Sequence, residues 1–140
     1  MKQYKNYFCC HINTVHQALE IQKICLIKNL LPIFFIDYKI INKLGSDWII
    51  SFNQILINEI KKKKFKIFID CRKNYGLFID LVNKEIDYLK VVGDKETLLR
   101  LKSISDKKKV TMNPNFNIIN MLKIKKIELK INDYFVRGAL

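Results

Sequence analysis

Apolar residues fall along this chain in two spacings. Tyr7 to Ile12 is a short run rich in aromatic and apolar side chains. Ile33-Phe34-Phe35-Ile36 follows Pro32 and stops at Asp37, and Phe65-Lys66-Ile67-Phe68-Ile69 stops at Asp70. Continuous runs of this length predict strands covered on both faces. Tyr88 to Val92, closed by Gly93-Asp94, predicts a fourth strand, and Val110 to Met112 offers a fifth.

Helical spacing fills the intervals. After Asn13-Thr14, an N-cap, Val15, Ala18, Leu19, Ile21, Ile24 and Cys25 make a broad apolar face that runs to about Lys28. Ser46 and Asp47 open a second helix carrying Trp48, Ile49, Phe52, Ile55, Leu56 and Ile60, after a loop at Gly45. Gly76 to Glu85 and Glu96 to Ser105 complete the series through Leu77, Phe78, Leu81, Val82 and Leu98, Leu101, Ile104.

Alternation of this kind predicts an α/β fold of three layers: a mostly parallel sheet of four to five strands with helices on both faces. The expected division is one domain over 1–112 and an extension over 113–140. Beyond Asn113-Pro114, Leu122, Ile124, Ile127, Leu129 and Ile131 alternate with lysines, which predicts a basic β-type tail and a possible route to a homo-oligomer.

Composition changes the picture only at the charges. The 140 residues carry a formal net charge of +13, a value that suggests nucleic acid or another acidic partner. Only three of the 26 basic residues are arginines, and Ile and Asn are abundant while Ala is rare, a pattern that A/T-rich codons also produce. Lysine supplies point charge without the planar fork that reads phosphates and bases. The runs Lys61 to Lys64 and Lys107 to Lys109, with Lys123, Lys125, Lys126, Lys130, Tyr134 and Phe135 in the tail, are where RNA would bind. Against that, lysines after a helix are also what its dipole favours.

Cys9, Cys10, Cys25 and Cys71 follow no signal peptide, so reduced thiols in a cytoplasm are expected. The longest apolar stretch, Ile24 to Ile36, is interrupted by Lys28, Asn29 and Pro32, which argues against a membrane segment.

In a parallel α/β sheet, function gathers where strands end. That edge collects Asp37, Asp70 and Asp94 with His11 and the loop Cys71-Arg72-Lys73-Asn74-Tyr75-Gly76. Aspartates there serve acid-base chemistry or Mg²⁺, or simply cap helices. Cys71, beside Arg72 and Lys73 and ahead of a helix, is the candidate nucleophile with a lowered pKa, and His11 is its base if their strands are neighbours. Arg72, Lys73, Gly76 and Asp94 are the candidates for binding a ligand or anion at helix N-termini. No metal site is expected, because Cys9, Cys10 and His11 are adjacent on a strand and no C-x-x-C pair exists. Neither a Walker loop nor G-x-G-x-x-G is present, and no cofactor is expected.

Ile69-Asp70-Cys71 through Gly76-Leu77, with Lys90-Val91-Val92-Gly93-Asp94 and the Leu98-Arg100-Leu101 helix, resembles an uncharacterised family of small α/β proteins of alphaproteobacteria. Its strand ends in Asp-Cys-Gly-Asp and a Gly opens the next helix. Arg72 and Lys73 stand here where the family has Gly and Asp, which removes one carboxylate from any shared metal site. The resemblance covers roughly residues 46 to 112 and implies no activity. The strand-loop-helix at Asp70 also resembles STAS domains, but this loop has no Ser or Thr phosphoacceptor.

Three functions follow: a non-catalytic regulatory or protein-interaction module, an RNA- or ribosome-associated protein, and a small enzyme centred on Asp70 and Cys71.

Overall fold

The computed structural model describes residues 6–61 and 63–120. Its elements are β1 (Tyr7–His11), α1 (Val15–Lys28), β2 (Leu31–Ile36), α2 (Tyr38–Leu44), α3 (Asp47–Ile60), β3 (Lys66–Asp70) and α4 (Tyr75–Asn83). They continue with β4 (Tyr88–Lys90), α5 (Lys95–Lys107), β5 (Thr111–Met112) and β6 (Ile119–Asn120). The chain is an α/β protein built on one sheet in the order β5-β4-β3-β2-β1-β6, with every pair parallel.

Among the described residues the sheet has six strands rather than four or five, because Ile119–Asn120 adds an edge strand beside β1. The basic tail expected from Leu122, Ile124, Ile127, Leu129 and Ile131 lies outside the described residues, as does Lys62.

The layering differs from the expected helices on both faces. Strands β1 to β5 are neighbours in sequence order, so each crossover steps the same way, and connections of one hand then pass over a single face. The side chains agree. Phe8, Cys10, Phe34, Ile36, Ile67, Ile69 and Leu89 share one core with Ile21, Ile41, Phe52, Phe78 and Leu101, which come from all five helices. The residues between them, Cys9, Ile33, Phe35 and Phe68, form a second cluster with Tyr88, Phe116 and Ile118 and no helix residue.

Residues 113–118 are thus a strap across the helix-free face. Five strand spacings amount to roughly 24 Å, about the full reach of the seven steps from Met112 to Ile119, so the strap runs extended. Its sequence fits: half-buried Pro114, Phe116 and Ile118 alternate with exposed Asn113, Asn115 and Asn117. Reversing both the direction and the face keeps the hand of this last crossover.

The αβ turns repeat one device. Leu30 N donates to Cys25 O, Ile86 N to Leu81 O and Val110 N to Ser105 O, the 6→1 bond of a Schellman turn. Each follows a left-handed residue, Asn29, Glu85 or Lys109, and buries the apolar side chain behind it. Helix α2 had no warning in the sequence, since its seven residues bury only Ile41.

Candidate functional site

The carboxyl edge of the sheet is built by the turns that start helices. Asp37 caps α2, its Oδ1 accepting from Ile40 N at 3.1 Å, and its Oδ2 lies 3.0 Å from His11 Nε2. The His11 ring stands edge-on to Phe35 at 5.3 Å. Asp94 caps α5 by accepting from Thr97 N, and that bond holds its carboxyl below the usual range. Asp70 Oδ1 accepts from Arg72 N at 2.9 Å, which fixes the turn that leaves β3. Each aspartate is occupied by local backbone, as expected of Asp after a strand.

The edge does not bring Asp37, Asp70 and Asp94 together. Among the described residues no group of three or more His, Cys, Asp or Glu side chains is placed to hold a metal ion. His11 contacts Asp37 because β1 neighbours β2; β2 then separates it from β3 and Asp70.

Cys71 is a correction to the expected nucleophile. It continues the Ile67, Ile69 side of β3, toward the helices, and is fully buried there. Burial, with Asp70 adding to it, pushes its thiol up to about 12 instead of lowering it. His11, one residue on from core-facing Cys10, belongs to the other face of the sheet. The two cannot act as a pair.

The anion candidates are also spent locally. The Arg72 guanidinium lies over the Tyr38 ring at 5.1 Å, and Lys73 is exposed. Asn74 caps α4 by accepting from Leu77 N, so the N-terminus at Gly76 carries its own oxygen. A Cβ at Gly76 would meet nothing nearer than 3.8 Å, so no close backbone approach requires glycine there. At α5 the capping carboxylate of Asp94 would repel an anion.

Two groupings were not legible as such. One is a half-open cleft of about 370 Å³ beneath the strap, lined by Phe68, Lys90, Val91, Asn113, Phe116 and Ile118 among others. The alternation of Asn with Pro114, Phe116 and Ile118 was its sequence signal. The other is the opposite, amino edge, where helices end and strands begin. The last residues of α1, α3, α4 and α5 and their turns hold Lys28, Lys61, Lys63, Lys64, Lys84, Lys107, Lys108 and Lys109.

Against those eight lysines the turns hold Glu85 and Asp87, and the last turns of α3, α4 and α5 carry Glu59, Asp80 and Asp106. Asp87 accepts from Ile67 N at 3.0 Å and from Lys63 Nζ at 3.2 Å, while Lys84 pairs with Asp80. Lys28, Lys61, Lys107, Lys108 and Lys109 are exposed and have no ion pair among the described residues.

These features define a one-sheet parallel α/β protein with a capped carboxyl edge and a lysine-rich amino edge. No protein-family model matches the chain, and no curated protein matches it. No described helix is long and apolar enough to cross a membrane.

Proposed function

We propose that this protein is a non-catalytic module that binds the phosphate backbone of RNA along the amino edge of its sheet. The observation that carries this reading is the asymmetry of charge between the two edges. Outside the helices, the amino-edge turns hold Lys61, Lys63, Lys64, Lys84, Lys108 and Lys109 against Glu85 and Asp87, an excess of four positive charges among the described residues. Four helix C-termini, each worth about half a negative charge, offset roughly two of them. Codon bias alone would scatter lysines over both edges, yet the carboxyl-edge turns balance Arg72 and Lys73 against Asp37 and Asp94.

Lysine on flexible stems suits a sequence-independent contact with a polyanion, which needs point charges rather than planar forks. The buried thiol and the spent aspartates weigh against the enzyme reading. The four free cysteines, all buried, fit a reducing cytoplasm. A protein partner, engaged at the carboxyl edge or through the tail, is the second reading, and no described surface feature favours it comparably.

The test is fluorescence anisotropy of a labelled single-stranded RNA at a series of salt concentrations. Binding should weaken steeply with salt, and replacing Lys107, Lys108 and Lys109 by Gln should lower the log-log slope by about two, from roughly 0.7 per phosphate contact. The control replaces Lys73, Lys90 and Lys95, removing equal charge elsewhere. Equal losses in both variants, or no binding at low salt, would overturn the proposal.

A further inference from the structure

We propose that the cleft beneath the strap binds a small planar aromatic molecule carrying one anionic group, with Lys90 as its counter-ion. The inference stands apart from the RNA reading, since the cleft opens near the carboxyl edge and the lysine turns lie at the other.

The cleft has the size of a ligand site. Its volume of about 370 Å³ is more than twice that of the roughly 150 Å³ void known to hold a benzene, and within the usual range for small-molecule pockets. It lies where β3 and β4 end, the place parallel sheets use for ligands.

Its walls are fixed by structure rather than by chance contact. Asn113 Oδ1 accepts from Val91 N at 2.8 Å and Asn113 N donates to Leu89 O at 2.7 Å, which pins the strap to β4. Pairing of Ile119 and Asn120 with Cys10 and His11 holds its other end. Between these anchors Phe116 stands edge-on to Tyr88 at 4.9 Å and to Phe68 at 6.0 Å. Half-buried Phe116, flanked by Pro114 and Ile118, therefore offers the apolar surface on which a flat ring can lie, while Phe68 is almost wholly covered.

Lys90 supplies the charge. It shares a register position with Asp70 on the neighbouring strand, yet the two make no ion pair, because Asp70 is turned into its own loop by Arg72 N. Lys90 is among the residues that line the cleft, and it has no ion-pair partner among the described residues. A lysine beside an accessible aromatic side chain favours a ring that bears a carboxylate or a phosphate.

Aromatic acids and nucleoside monophosphates share this chemistry. Amide chemical shifts of the ¹⁵N-labelled full chain would be followed while 2-naphthoate and AMP are added separately, with 2-naphthamide as the neutral analogue. Saturable shifts confined to Lys90, Val91 and residues 113–118 are expected with at least one anionic probe, and which probe gives them identifies the source. Removing the charge should weaken binding about tenfold, whether by using the amide or by Lys90→Met, while Lys90→Arg retains it. The proposal is overturned if neither probe saturates, if the shifts centre on Lys107 to Lys109, or if the neutral amide binds as well as the acid. The last comparison uses the unaltered protein and so holds even if Lys90→Met misfolds.

Discussion

Gln22 offers the sharpest test of how the core is read. It lies on α1 with Ala18, Ile21 and Cys25, the spacing that faces the sheet, and it is fully buried. Among the described residues neither its Oε1 nor its Nε2 has a hydrogen-bond partner. A buried amide left unpaired costs about 1–3 kcal/mol by mutational measures. Methionine matches its length and flexibility and carries no such penalty. Gln22→Met should therefore stabilise the protein by about 2 kcal/mol after a discount for imperfect fit. In a domain of this size that is a rise of roughly 6 to 10 °C in Tm.

Urea unfolding measures it, followed by far-ultraviolet circular dichroism and by Trp48 fluorescence, since Trp48 packs on Phe52 at 5.0 Å. The midpoint should move up with an unchanged slope. Gln22→Ala should fall below the Met variant because it leaves a void as well as removing the amide. A Met variant no more stable than the parent would refute the reasoning and show that the amide is paired in solution.

Three further outcomes follow from the same structure. Glu85 and Lys109 hold left-handed φ values of 57° and 58°, so Glu85→Gly and Lys109→Gly should each stabilise by about 0.5–1 kcal/mol, and Asn29→Gly by less, since Asn tolerates that conformation; equal denaturation midpoints would contradict this. The Asp80 carboxyl is held below its ordinary value of 3.8 by Lys84, and that of Asp94 by Thr97. Both contribute stability that is complete above the unfolded value and lost as pH falls below about 4 through the folded values. Asp80→Asn combined with Asp94→Asn should flatten this acid limb in pH-dependent melting, and an unaltered limb would count against it. Finally, all four thiols are buried, and burial pushes those of Cys9, Cys25 and Cys71 up to about 12. A thiol-reactive dye should label none of them faster than the protein unfolds; rapid labelling of Cys71 would restore the nucleophile reading.

The sequence by itself determined the local elements and their class. Runs such as Ile33 to Ile36 and Ile67 to Ile69, ended by Asp37 and Asp70, are strands because little else buries three or four successive apolar residues on two faces. Thr14 and Asp94 cap the helices that begin after them. Strand and helix in alternation then imply parallel pairing. These signals are carried by neighbours in the chain, so they survive without knowledge of the fold.

What only the tertiary structure decided depends on strand order and side-chain parity. Strands in sequence order send every helix to one face and leave the other to Phe116 and Ile118. The same order puts β2 between His11 and Asp70. One residue of parity turns Cys71 into the helix-side core, where its thiol is buried, while Asp70 beside it stays half-buried. The lysine turns, scattered over eighty residues of sequence, meet at one edge only because parallel crossovers return every helix C-terminus there. A local pattern does not encode which strand lies next to which, and both proposed binding surfaces are made by that choice.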